Sequence, residues 1–192
     1  MAHGICPWWL GYFLASPIRR LWHNPREILQ AFVQEGMLVL EPGSGMGFFT
    51  LELARLVGRN GKVIAIDVQP KMIAGLQSRA LKAGLLDRIE VRLAQNDSMD
   101  LSDLDGKVDF ALAFAMIHEL PDAGRFLGEM HRVLGPKRKL LVAEPRGHVK
   151  ETDFAALLET ARRAGFQVAS GPHIRSSWTA ILERLAETGS AG

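Results

Sequence analysis

Short apolar runs recur along the chain at 37–40, 62–66, 88–93, 108–114 and 139–143. Runs such as Met37-Leu38-Val39-Leu40 and Val63-Ile64-Ala65-Ile66 are apolar throughout rather than alternating. Strands buried on both faces of a parallel sheet need that composition. Helical stretches follow at 48–57, 70–83, 122–134 and 151–164, so strands and helices alternate as right-handed βαβ crossovers demand. An earlier helix is expected over 24–35: Asn24 caps it, Pro25 takes the first helical position, Glu27 completes a capping box, and Gly36 ends it. The tail departs from the alternation. Strands at 166–169 and 178–182 are joined by 170–177, too short for a helical crossover, so they pair antiparallel. The pattern predicts an α/β fold with an open, doubly wound sheet and no internal repeat or linker.

At 192 residues the chain fits one domain, with residues 1–35 as an apolar cap and helix packed on a main domain of 36–192. Hydrophobic residues at 47% and charged residues at 23% match an ordinary soluble globular protein. A net charge of +2 does not by itself imply nucleic acid or an anionic membrane. The single cysteine, Cys6, excludes an intramolecular disulfide framework and suits a reducing cytoplasm. The apolar stretch 5–15 has no Lys or Arg before it, carries Pro7, and is far short of the ~20 residues that span a bilayer. It reads as a cap over the domain, with a membrane-touching segment, a lid or a homo-oligomer interface as alternatives.

The first strand ends in Glu41-Pro42-Gly43-Ser44-Gly45-Met46-Gly47. Glycines there let the backbone turn sharply and approach a ligand, and the helix that follows offers free N–H groups. Gly43 and Gly45 match the first two positions of a dinucleotide fingerprint, but its third position falls on Phe48. The third glycine is Gly47, which gives acid-x-G-x-G-x-G instead. Asp67 ends the second strand, where a carboxylate can accept from both hydroxyls of an adenosine ribose. Capping the helix that starts near Pro70 is its alternative role. A polar turn, Gln95-Asn96-Asp97-Ser98, follows the third strand.

These features resemble the ubiquinone/menaquinone-biosynthesis-like branch of class I S-adenosylmethionine-dependent methyltransferases, over 38–145. The resemblance rests on Glu41 to Gly47, Asp67, Asp97 and the strand-four segment 109–120. It implies a Rossmann-like seven-stranded sheet of order 3-2-1-4-5-7-6 with the last strand antiparallel. It also implies S-adenosyl-L-methionine as cofactor, S-adenosyl-L-homocysteine as product, and a small-molecule acceptor. The cofactor site would comprise Glu41, Gly43, Ser44, Gly45, Gly47, Asp67, Val68, Asn96, Asp97, Ser98 and Phe114. The chain departs from the pattern in Asn96, where many relatives have Gly, and in Gly135-Pro136-Lys137-Arg138 before strand five. It also lacks an Asn-Pro-Pro-Tyr motif after strand four, which argues against methylation of adenine or glutamine amides.

Strand four delivers Phe114-Ala115-Met116-Ile117-His118-Glu119 to the carboxyl edge of the sheet, and strand five delivers Glu144-Pro145-Arg146-Gly147-His148. A hydroxyl or amine acceptor needs its proton removed, so His118, Glu119, Glu144 and His148 are the candidate acid–base groups. Each has a structural alternative: ordering the turn before Asp122 for the first two, a satisfied carboxyl for Glu144, a turn residue for His148. No metal is expected, because His118-Glu119 lacks the second histidine of H-E-x-x-H and Pro121 breaks the helix that motif requires. The basic clusters Arg19-Arg20 and 137–139 are too short for a nucleic-acid face. The competing functions are an RNA or protein methyltransferase, a cofactor-binding relative without catalysis, and an NAD-dependent oxidoreductase.

Overall fold

The computed structural model describes residues 23–94 and 99–185. The aromatic N-terminal segment and the Asn96, Asp97 and Ser98 turn lie outside the described residues. Seven strands form one sheet: β1 (Leu38–Pro42), β2 (Lys62–Asp67), β3 (Ile89–Leu93), β4 (Val108–Phe114), β5 (Leu134–Pro145), β6 (Phe166–Ser170) and β7 (Ser177–Arg184). Their order is β3-β2-β1-β4-β5-β7-β6, as expected. The β1–β2, β2–β3, β1–β4 and β4–β5 pairs are parallel, while β7 runs antiparallel between β5 and β6. The chain steps outward from β1 to β3, then returns to lay β4 against the other side of β1. Open α/β sheets bind ligands at such a reversal, which here lies at the carboxyl ends of β1 and β4.

Helices α1 (Pro25–Leu29), α2 (Thr50–Leu56) and α3 (Pro70–Lys82) cover one face, and α4 (Ala123–Val133) and α5 (Glu151–Arg163) the other. Leu29, Leu53, Leu76, Phe110 and Leu112 pack together on the first side. Leu40, Ile64, Phe126, Met130 and Phe154 pack on the second. Asn24 caps α1 through Arg26 N, and its Nδ2 donates to Glu27 Oε1 at 2.8 Å. The helix is nevertheless shorter than the expected 24–35. After Gln30 the chain leaves the ladder for a turn, which buries Val33 and stacks Phe32 on Phe110 at 5.6 Å between ring centroids. Packing against the sheet outweighs propensity there.

Strand five also begins earlier than the expected 139–143. It leaves α4 directly at Leu134, and Gly135-Pro136-Lys137-Arg138 forms a bulge within the strand rather than a turn before it. The register slips between Val108 and Phe110, and Lys137 takes a left-handed φ of 60°. Proline, which has no N–H for the ladder, suits such a bulge. The basic cluster is answered locally: Arg138 pairs with Asp109 at 2.9 Å and Lys139 with Glu183 at 3.8 Å.

Helix α2 begins at Thr50 rather than 48 because the turn before it is built on left-handed glycines. Gly45 and Gly47 have φ values of 54° and 81°. A Cβ on Gly47 would sit 2.3 Å from Cδ1 of the fully buried Leu76, whereas one on Gly45 would meet nothing within 4 Å. The two glycines therefore serve different purposes. Gly45→Ala should cost about 1–2 kcal/mol of left-handed strain. Gly47→Ala adds overpacking and should cost roughly 2–5 kcal/mol. Thermal unfolding of both variants checks this, at roughly 2–4 °C per kcal/mol for a domain of this size; equal midpoints would refute it.

Candidate active site

The carboxyl edge of the sheet gathers two acidic centres. The first is built on β1 and β2. Asp67, at the end of β2 with 9% exposure, accepts the Gly45 N–H through Oδ2 and the Gln69 N–H through Oδ1, both at 2.9 Å. One carboxyl thus holds both the glycine turn and the residue that precedes α3. Burial raises the Asp67 pKa, and the N–H groups of Gln69, Gly45 and Val68 act against that rise. Val68 is exposed beside it.

Glu41 lies beneath the same turn at 4% exposure. Thr50 Oγ1 donates to its Oε2 at 2.5 Å. Burial pushes the Glu41 carboxyl up to about 8; the Thr50 hydrogen bond resists this and the nearby Asp67 charge adds to it. Ser44 is fixed by its N–H to Ile66 O at 2.9 Å, and its Oγ is buried with no hydrogen-bond partner among the described residues. Arg79 holds the turn from α3, with Nη1 donating to Met46 O at 2.5 Å. Phe114 closes β4 against Phe49, at 4.5 Å between ring centroids, and against His23 at 5.5 Å.

The second centre is built on β4 and β5. Glu144, 1% exposed near the end of β5, accepts the N–H groups of Met116 at 3.2 Å and Ile117 at 2.9 Å on Oε1. Its Oε2 accepts the Nδ1–H of His118. Ala115 makes this possible by adopting φ 55°, unusual for a residue with a side chain, while its N–H stays on Ala143 O at 2.7 Å. The chain then enters a single 3-10 turn, Ile117–Glu119, whose first N–H groups face Glu144. The Glu144 hydrogen bond raises the His118 pKa; burial opposes it, and the charges of Glu144 and Glu119 reinforce it. Glu119 is half-buried in the same turn, and His148 is exposed with its ring centroid 5.7 Å from that of His118.

The two centres touch. A Cβ on Gly43 would lie 2.9 Å from Met116 Cβ, so only a glycine lets the turn after β1 approach the segment after β4 this closely. Reading the sequence singled out Gly43, Asp67, His118 and Glu144 but missed Thr50, Arg79 and Ala115. Thr50 was visible only as a polar residue in the apolar opening turn of α2. Nothing local marks Arg79 or the backbone of Ala115.

An open sheet of this order, with a glycine turn and a buried acid at the ends of β1 and β2, defines a Rossmann-like methyltransferase domain. A family model described as a methyltransferase domain matches residues 33–187, and the chain belongs to that family, the class I S-adenosylmethionine-dependent methyltransferases. The ubiquinone/menaquinone biosynthesis C-methyltransferase of Marinomonas sp. (strain MWYL1) is 30% identical over 131 residues, 68% of this chain and 51% of that protein. The ubiquinone biosynthesis O-methyltransferase of Azorhizobium caulinodans is 27% identical over 190 residues, 99% of this chain and 70% of that one. The crystal structure of a SAM-dependent methyltransferase from Aquifex aeolicus superposes with a TM-score of 0.82 at 28% identity, covering 95% of this chain and all of that one. The chain spans about half the length of the C-methyltransferase relatives it matches.

The His118–Glu144 pairing has a measurable signature. The His118 ring should titrate above the ordinary 6.5 in a proton-detected NMR titration, and Glu144→Gln should return it towards that value or below. The stability sign follows. A group whose folded pKa is raised contributes stability that is fully present below its unfolded pKa and lost as pH rises through the folded one. His118 and Glu41 are both raised, so the ligand-free protein should unfold at progressively lower temperature as pH rises from about 4.5 to about 8. A flat or rising midpoint over that interval would contradict both assignments.

Proposed function

We propose that the chain transfers a methyl group from S-adenosyl-L-methionine to a small-molecule acceptor, with His118 removing the acceptor's proton. The observation that carries this reading is the packing of Gly43 on Met116, which joins the glycine turn to the segment whose His118 is held by Glu144. The two relatives named for quinone biosynthesis support a small acceptor. Bound S-adenosylmethionine supplies an electrophilic methyl on a sulfonium.

The residues present fit that cofactor. Gly45 faces open space where a side chain would stand, and Ser44 Oγ is a buried donor and acceptor with no partner among the described residues. Asp67 uses one hydrogen bond per oxygen on backbone N–H groups, and each carboxyl oxygen can accept more, as two ribose hydroxyls require. Glu41 would face the methionine end, with Gly43, Gly47, Val68 and Phe114 completing the wall. The Asn96–Ser98 turn is assigned to the adenine from sequence alone, through Asp97.

His118 carries the acid–base role. With Nδ1–H committed to Glu144, its other ring nitrogen, Nε2, is the atom left to accept a proton. Glu144 is a positioning residue: it fixes the tautomer and the ring plane, and it stabilises the imidazolium formed when the proton arrives. Glu119 and His148 flank the ring and are secondary candidates for passing that proton on. Most of the rate would come from alignment, since an in-line displacement needs the nucleophile held close.

S-adenosylhomocysteine at ~100 times its dissociation constant should add about 2.7 kcal/mol, raising the unfolding midpoint by roughly 5–10 °C. Excess NAD should leave it unchanged, and Asp67→Ala should abolish the S-adenosylhomocysteine shift. A shift with NAD alone would overturn the S-adenosylmethionine reading of the site. Against a panel of hydroxylated aromatic acceptors, His118→Gln should lower kcat about 10²–10⁴-fold while keeping the S-adenosylhomocysteine shift. Unimpaired turnover in that variant would remove His118 from the chemistry.

A further inference from the structure

The carboxyls of Glu41 and Asp67 share one edge but are supplied differently. Asp67 accepts backbone N–H groups from Gly45 and Gln69, which partly offset the cost of burying its charge. Glu41 is buried more deeply and accepts a single hydroxyl, that of Thr50. Among the described residues it has no ion pair. The charged groups on the elements packed around it are already directed elsewhere. On α2, Glu52 pairs with Arg55 at 2.9 Å and with Arg26 of α1 at 3.9 Å. From α3, Arg79 donates to Met46 O. Beyond β4, His118 is held by Glu144. From β2 comes Asp67, another acid. A buried carboxylate without a cation and beside a second acid is costly, and protonation removes that cost.

We propose that Glu41 is a neutral acid in the ligand-free protein and releases its proton to solvent when the cofactor's α-ammonium arrives, so that cofactor binding is proton-coupled. Thr50 donates to Oε2, which leaves the acidic proton on Oε1. That O–H bond breaks, the proton goes to buffer, and the carboxylate it leaves pairs with the ammonium. The inference rests on the cofactor site proposed above and adds a regulation to it: affinity falls as pH drops, because the proton and the ammonium compete for one carboxyl.

Calorimetric titration of S-adenosylhomocysteine into the full chain, at one pH in phosphate and in Tris, tests this. The two buffers differ in ionisation heat, so the difference in observed heat counts the protons released. Close to one proton should leave per cofactor bound at pH 7, and the number should fall as pH rises through about 8. Affinity should increase up to tenfold per pH unit up to about pH 7 and level off above about pH 8. Glu41→Gln should abolish both effects and fold as well as the parent at pH 7, because the amide resembles the neutral acid. His118→Gln should keep them. Tight binding with buffer-independent heat would overturn the proposal while leaving the cofactor reading intact. So would proton release that survives Glu41→Gln or disappears with His118→Gln. Absence of S-adenosylhomocysteine binding would sink the cofactor reading itself, and the proposal with it.

Discussion

The Asp67 carboxyl holds the ends of two strands in one geometry. Its Oδ2 takes the N–H of Gly45 and its Oδ1 that of Gln69, so the turn after β1 and the start of α3 are referred to one group at the end of β2. A glycine-rich turn has many conformations available and loses much entropy on folding. Here that freedom is removed by contacts from four directions: Asp67 from β2, Arg79 from α3, Leu76 packed against Gly47, and Met116 against Gly43. What remains open is the space beside Gly45. Fixing every side of the turn but one is how a flexible sequence becomes a preformed cradle.

The β4–β5 edge solves a related problem by different means. A strand end leaves N–H groups without ladder partners, and burying them without acceptors costs free energy. Glu144 supplies the acceptors for Met116 and Ile117 and then takes a third donor from the His118 ring. The left-handed backbone of Ala115 costs on the order of 1–2 kcal/mol, offset by these bonds. Strain of this kind persists only where the surroundings over-determine it, and it gathers at sites that use it. Here it turns the chain so that the Met116 and Ile117 N–H groups and the His118 ring all meet Glu144.

What was legible in the sequence follows from how local each signal is. The apolar runs give the strands, their spacing gives the crossovers, and the short 170–177 connection gives the antiparallel β7. The glycine turn and Asp67 are legible because both lie at strand ends whose positions the pattern defines. The length of α1 was not, since it depends on Phe32 finding Phe110, nearly eighty positions along the chain. The bulge in β5 rests on a register slip against β4 and a left-handed Lys137, neither of which a local apolar pattern marks. Glu144 and His118 could be named as candidates but not paired, because 26 residues separate them and only the β4–β5 register brings them together.

Two buried acids on one rim differ in how many donors the backbone gives them, and that difference separates their chemistry. Asp67 sits where a turn and a helix start both aim N–H groups at it, so its charge is partly met by the protein itself. Glu41 belongs to a strand whose backbone groups are committed to β2 and β4, and a lone threonine hydroxyl is what reaches it. The first can accept neutral hydroxyls without changing state. The second has a reason to prefer a cation, because only a positive group restores what burial removes. On the cofactor reading proposed above, an amino-acid end would face Glu41 and a ribose Asp67, and the distance between β1 and β2 in the sheet would set the spacing of the two.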